Sequence, residues 1–126
     1  MTSLAGVRVL VIEDEAPIAL MIEDMLTDMG CVIAGSAATV SDALRCLDAG
    51  GFDFALLDVN LGGVSAEAVA YALVKAGIPF AFASGYGRAG VPAQLQARPV
   101  LRKPFGSAEL EKVLCDMLRK PDAGKR

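Results

Sequence analysis

The chain has 126 residues, 54% of them apolar, and a formal net charge of −3, which suits one domain with a real core and is too short for two ordinary ones. It contains no histidine, so Ser-His-Asp and Cys-His nucleophile pairs, histidine-based zinc sites and a phosphohistidine carrier are all excluded. Any chemistry must run on carboxylates, lysine, hydroxyls and a metal.

The N-terminal MTSLAG lacks the charged and apolar regions of a signal peptide. No apolar run approaches the ~20 residues that span a bilayer, so no membrane role and a cytoplasmic location are expected. The first strand is read in "VRVLVI" (7–12), and "EDE" (13–15) follows it. Residues 16–29 set Ile18, Ile22, Met25, Leu26 and Met29 on one helical stripe, with Glu23, Asp24 and Asp28 off it. Pro17 fits the first turn and Gly30 the position just past the end. A second strand, "CVIAGS" (31–36), precedes a helix over 41–49 that closes on Gly50. The third strand, "FDFALLD" (52–58), reads as buried on both faces yet ends on Asp58. A helix over 65–76, closing on Gly77, leads to "PFAFAS" (79–84), the fourth strand. "GYGRAGVPAQLQARP" (85–99) has three glycines and poor apolar spacing, so a fourth helix here is expected to be short or mobile. "PVLRK" (99–103) is the fifth strand, and 107–118 the last helix, with Leu110, Val113, Leu114 and Met117 inward. The domain is expected over 5–119, with 120–126 a flexible tail.

Strands alternating with helices predict an α/β fold whose parallel sheet is covered on both faces. Charge is unevenly spread along it. Residues 1–60 carry ten acids against Arg8 and Arg45, whereas 61–126 carry five acids and ten bases. Those bases are scattered without interleaved aromatics, so direct DNA binding is not expected. Cys31, Cys46 and Cys115 are far apart in sequence and sit among apolar neighbours, as buried free thiols do.

Ligands of such sheets lie beyond the carboxyl ends of the strands. Strand one ends at Glu13 and Asp14, strand three at Asp58 with Asn60 two residues on, strand four at Ser84, and strand five at Lys103. Each alone reads as a turn acid, a turn hydroxyl or a surface charge. Together they do not. Two carboxylates ~4 Å apart repel by about 4 kcal/mol at an effective dielectric of 20. A divalent cation removes that repulsion, and hard oxygen ligands select Mg²⁺. Metal, lysine and hydroxyl around one carboxylate suit it to attack phosphorus and hold an acyl phosphate.

"VLVIEDE", "ALLDVNLGG", "FAFASGYG" and "LRKPF", in this order, resemble the receiver domain of two-component response regulators. The resemblance implies a flavodoxin-like (βα)5 three-layer sandwich of sheet order 2-1-3-4-5. It also implies that Glu13 and Asp14 bind Mg²⁺, Asn60 lends its backbone carbonyl to the metal, and Asp58 is both metal ligand and phosphoacceptor. Ser84 and Lys103 would contact the phosphoryl group, and the Lys103–Pro104 bond would be cis. Implied partners are a sensor histidine kinase or histidine phosphotransfer protein and an unknown downstream protein. With no further domain expected after 119, the chain would be a single-domain switch that catalyses only its own phosphorylation and dephosphorylation.

Two departures stand out. Glu13 replaces the common Asp, and Val100 stands where receivers usually carry an aromatic switch three residues before the lysine. "PFAFASGYG" resembles the FATGUY subgroup, whose members lack that aromatic and have a loosened fourth helix. Ser84 replaces the subgroup's threonine, and a glycine follows Tyr86. Residues 85–97, with Tyr86 as anchor, are therefore expected to order on phosphorylation. Among rival readings, "GYGRAG" fits G-x-G-x-x-G but follows the fourth strand, leaving too little chain for a dinucleotide-binding half. A haloacid dehalogenase would put its nucleophile after the first strand with a second Asp two residues on, where this chain has Glu15. An inactive receiver-like interaction module has no need of the full acidic set with Ser84 and Lys103.

Overall fold

The computed structural model of the protein describes residues 4–85, 91, 93–95 and 98–118. Its central sheet contains β1 (Arg8–Ile12), β2 (Val32–Ala37), β3 (Phe54–Asp58), β6 (Phe80–Ser84) and β7 (Val100–Arg102). All pairings are parallel and the order is β2-β1-β3-β6-β7. A separate two-stranded antiparallel ribbon, β4 (Asn60–Leu61) with β5 (Val64–Ser65), stands between β3 and the next helix. With that ribbon set aside, the five sheet strands follow the expected order 2-1-3-4-5.

Helices α1 (Ala16–Asp28) and α4 (Ser107–Leu118) pack on one face, α2 (Val40–Ala49) and α3 (Glu67–Ala76) on the other. Alternation along the strands divides the core. Val9, Val11, Phe54, Leu56, Ala81 and Ala83 meet Ile22 and Leu26 of α1 and Leu110 and Leu114 of α4. Leu10, Ile12, Ala55, Leu57, Phe80 and Phe82 meet Ala43 of α2 and Val69 and Leu73 of α3. Phe54 through Leu57 are at most 2% exposed, so β3 is buried on both faces as expected. Each of its large side chains contributes about 1.5–3 kcal/mol by burial, and this anchors Asp58 where a charge would otherwise stay in water.

Local signals explain the helix boundaries. Pro17 lies in the first turn of α1. The Thr39 hydroxyl accepts from Asp42 N–H at 3.1 Å and caps α2. Glu109 reaches back to the Gly106 N–H at 2.7 Å ahead of α4. Helix α3 starts at Glu67 rather than 65, because 60–65 is taken up by the ribbon. The stripe on α1 faces inward, but Leu20 and Met21 on its other side are exposed. Of the cysteines, Cys31 is buried while Cys46 and Cys115 are half-buried; all three are free thiols. The burial expected for the last two is thus only partial, since each sits at the flank of its helix rather than on its inward line.

Strand β2 is an edge strand with a bulge. Val9 pairs with Ile33 but Leu10 with Gly35, leaving Ala34 as the extra residue. A Cβ on Gly35 would come within 3.1 Å of Leu10 Cδ1 and of the Phe52 ring. The Lys103–Pro104 bond is cis. Val91 and Leu95 are buried, and Ala93–Leu95 forms one 3-10 turn. Tyr86 and most of 85–97 lie outside the described residues. Among the described residues, no helix is long and apolar enough to cross a membrane.

Candidate functional site

The parallel register brings the chemically distinct residues to one rim. Ile12 pairs with Leu57, Asp58 with Ala83, and Ser84 with Arg102. Glu13, Asp58, Ser84 and Lys103 therefore stand at neighbouring strand ends. Carboxylate oxygens of Glu13, Asp14 and Asp58 all lie within 4.8 Å of one another.

Lys103 joins the two buried acids. Its Nζ donates to Glu13 Oε1 at 2.8 Å and to Asp58 Oδ2 at 2.9 Å. Glu13 is 4% exposed and Asp58 7%, so these charge-assisted bonds act with little screening. Backbone donors complete the set: Glu15 N–H to Glu13 Oε2 at 3.1 Å, and Asn60 N–H to Asp58 Oδ1 at 3.3 Å.

Burial pushes the Glu13 carboxyl above its ordinary value; hydrogen bonds from Lys103 and the Glu15 N–H oppose the rise and the Asp58 charge adds to it. For Lys103, burial works against the charged form, yet its bonds to Glu13 and Asp58 prevail and hold the ammonium above its ordinary value. The two directions are compatible. The lysine sees two carboxylates, whereas Glu13 sees one shared ammonium and a neighbouring acid.

Among the described residues, three carboxylates face one ammonium, which leaves the acids in excess there. Asp14, unlike the other two acids, is exposed. Hard oxygen donors converging within 4.8 Å, with one side open to water, fit a cation that keeps part of its hydration.

Ser84 is fully buried at the end of β6, and its carbonyl accepts from the Lys103 N–H at 2.9 Å. The chain segments that carry the hydroxyl and the ammonium are thereby tied together. Asn60 is exposed and its side-chain oxygen accepts from the Gly63 N–H at 2.8 Å. Val100, in β7, is half-buried and pairs with Phe82. One contact was not foreseen from the sequence: Gly62 N–H donates to Asp14 Oδ2 at 3.0 Å. The adjacent glycines after Asn60 were the available signal, since an Asn and two glycines mark a tight turn.

The family model for the response regulator receiver domain matches residues 9–115. No curated protein matches the sequence. Among solved structures, SdrG from Sphingomonas melonis Fr1 is 41% identical, with a TM-score of 0.81 over 94% of this chain and 99% of that one. The BeF3-activated conformation of SdrG from Pseudomonas melonis Fr1 is 40% identical, with a TM-score of 0.77 over 94% and 99%. The receiver domain of the PhyR response regulator from Erythrobacter litoralis is 25% identical, with a TM-score of 0.81 over 95% and 98%.

Proposed function

This chain belongs to the response regulator receiver domain family, and from that premise we propose that Asp58 accepts a phosphoryl group, with Mg²⁺, from a sensor histidine kinase or histidine phosphotransfer protein. The phosphorylated domain then signals in the cytoplasm by docking a downstream protein. The observation that carries the reading is the state of Asp58: a strand-end carboxylate, nearly buried, bonded to Lys103 and set against two further acids.

Receiver domains bind Mg²⁺ at an acidic pocket, and here Glu13, Asp14 and Asp58, with the Asn60 backbone carbonyl, would hold it. When bound, the cation supplies charge that neutralises the acids and the incoming phosphoryl oxygens. The remaining work falls to the protein's own groups. An Asp58 carboxylate oxygen forms the new bond to phosphorus as the P–N bond to the donor imidazole breaks, and the imidazole nitrogen keeps the electron pair. Lys103 Nζ, already on Asp58 Oδ2, offers its positive charge to the phosphoryl oxygens as negative charge shifts there. The Ser84 hydroxyl contributes a neutral donor from the neighbouring strand. In dephosphorylation, water attacks phosphorus and Asp58 leaves as a carboxylate, so the domain regulates its own lifetime in the active state. It is a signalling module that processes only itself.

The test is Mg²⁺-dependent labelling with a small acyl phosphate, read by intact mass. One phosphoryl group is expected on wild type, none in chelator and none on Asp58→Asn. A wild-type chain that binds its partners equally well with Asp58→Asn and never takes up phosphate would instead be a phosphorylation-independent interaction module.

A further inference from the structure

Asp14 is held differently from its neighbours. Glu13 and Asp58 are buried and both accept from Lys103, whereas Asp14 is exposed. An exposed side chain samples several rotamers, and that freedom is lost when a cation engages it. Among the described residues, one hydrogen bond restrains Asp14: the Gly62 N–H, across 48 positions of sequence, at 3.0 Å from Oδ2.

Gly62 sits at the tip of the β4–β5 ribbon. Asn60 Oδ1 accepts from the Gly63 N–H at 2.8 Å and closes the turn from within. The same residue's N–H donates to Asp58 Oδ1. Gly62 and Gly63 have φ of 61° and 87°, consecutive left-handed values that let a two-residue turn follow the twist of its strands. A Cβ on either glycine would meet nothing within 4 Å. Backbone conformation, not space, calls for glycine at both positions. The ribbon thus touches Asp58 at its base and Asp14 at its tip, and spans the two carboxylates.

We propose that the ribbon is a clip that presents Asp14 to the cation, with the Asn60 side chain and Gly62 as positioning residues. The clip rests on the Mg²⁺ reading given above. With Asp14 already set beside Glu13 and Asp58, the cation meets an assembled site rather than ordering a loose carboxylate and a loose loop together.

The experiment is calorimetric titration of the full chain with Mg²⁺, together with amide exchange in chelator. Asparagine adopts left-handed backbone readily, so Gly62→Asn should bind within about twofold of wild type. Gly62→Val, strained in that region, should bind about tenfold more weakly. Asn60→Ala keeps its backbone carbonyl but loses the turn closure and should also weaken binding. Equal affinity for Gly62→Val and wild type, or equal loss for Gly62→Asn and Gly62→Val, would overturn the clip. In metal-free protein the Gly62 amide should exchange slowly, and faster in Asp14→Ala although the urea midpoint of that variant is not lowered. The same exchange rate in both would overturn it too. Wild type that binds no Mg²⁺ defeats the functional reading, while the exchange comparison, made without cation, still decides whether the clip exists.

Discussion

Removing the Lys103 ammonium should destabilise the metal-free protein far more than the loss of an ordinary surface lysine. Lys103→Met keeps most of the apolar stem and deletes the bonds to Glu13 and Asp58, at 2.8 and 2.9 Å. The side chains concerned are 17%, 2% and 9% exposed for Lys103, Glu13 and Asp58 respectively, so water cannot readily replace the lost donor. Hydrogen bonds to charged groups contribute about 1.5–3 kcal/mol, and breaking a buried ion pair costs about 3–5 kcal/mol. The rim location and the escape from Lys103's own desolvation cost place the net loss at the lower end, about 3 kcal/mol. For a chain of this length that corresponds to a fall in Tm of about 12 °C. Urea denaturation in chelator, followed by far-UV circular dichroism, measures it. Saturating Mg²⁺ should shrink the loss, and Glu13→Gln in the Lys103→Met background should restore part of it, because each removes an uncompensated charge. A loss below about 1 kcal/mol in chelator, or one untouched by both Mg²⁺ and Glu13→Gln, would refute the account.

Asp58→Asn should abolish phosphoryl uptake while raising the urea midpoint of the metal-free protein, since one of three clustered acids is gone; uptake on another residue at a similar rate would contradict the assignment. Asp14→Ala should weaken Mg²⁺ binding and slow labelling by the acyl phosphate together, and unchanged labelling in chelator would count against the cation. The raised carboxyl of Glu13 favours folding while it is protonated, an advantage present below the ordinary carboxylate value and lost as pH rises through its folded value. The stability gained by Glu13→Gln in chelator should therefore grow with pH across that window; a flat difference would remove the burial argument. Gly35→Ala should cost about 1 kcal/mol, because the new methyl presses on Leu10 and Phe52, and thermal melts without a shift would show that Phe52 simply moves aside.

The strands that set the site were legible because their signals are local and redundant. Phe54 to Leu57 are uniformly apolar and β3 is buried on both faces, so the odd residue, Asp58, declares itself. The convergence of Glu13, Asp14, Asp58 and Lys103 follows from parallel pairing alone, which brings like ends of strands to one edge. The state of each acid was less legible. Sequence places Glu13 and Asp14 side by side, but their opposite burial depends on which way each points as the chain leaves β1. The ribbon escaped notice because two residues a side are too few for alternation to register. Its clearest mark, a backbone N–H meeting a side chain 48 positions away, carries no side-chain signature at the donor. The exposed Leu20 and Met21 of α1 are equally silent, since apolar composition does not say which face turns out.

The bulge at Ala34 bears on how the molecule keeps to itself among other proteins. A parallel sheet ends in two strands whose outer amides and carbonyls have no neighbour, and a long flat edge invites another chain to zip on. Here β2 breaks its spacing between Ile33 and Gly35, so a visiting strand would lose register partway along. The opposite border, β7, is three residues long and runs into Pro104, which has no N–H to offer. Neither border provides a continuous ladder for polymerisation. A strand-shaped peptide should be a poor ligand, and recognition of this molecule is left to side chains on its helices and rim loops.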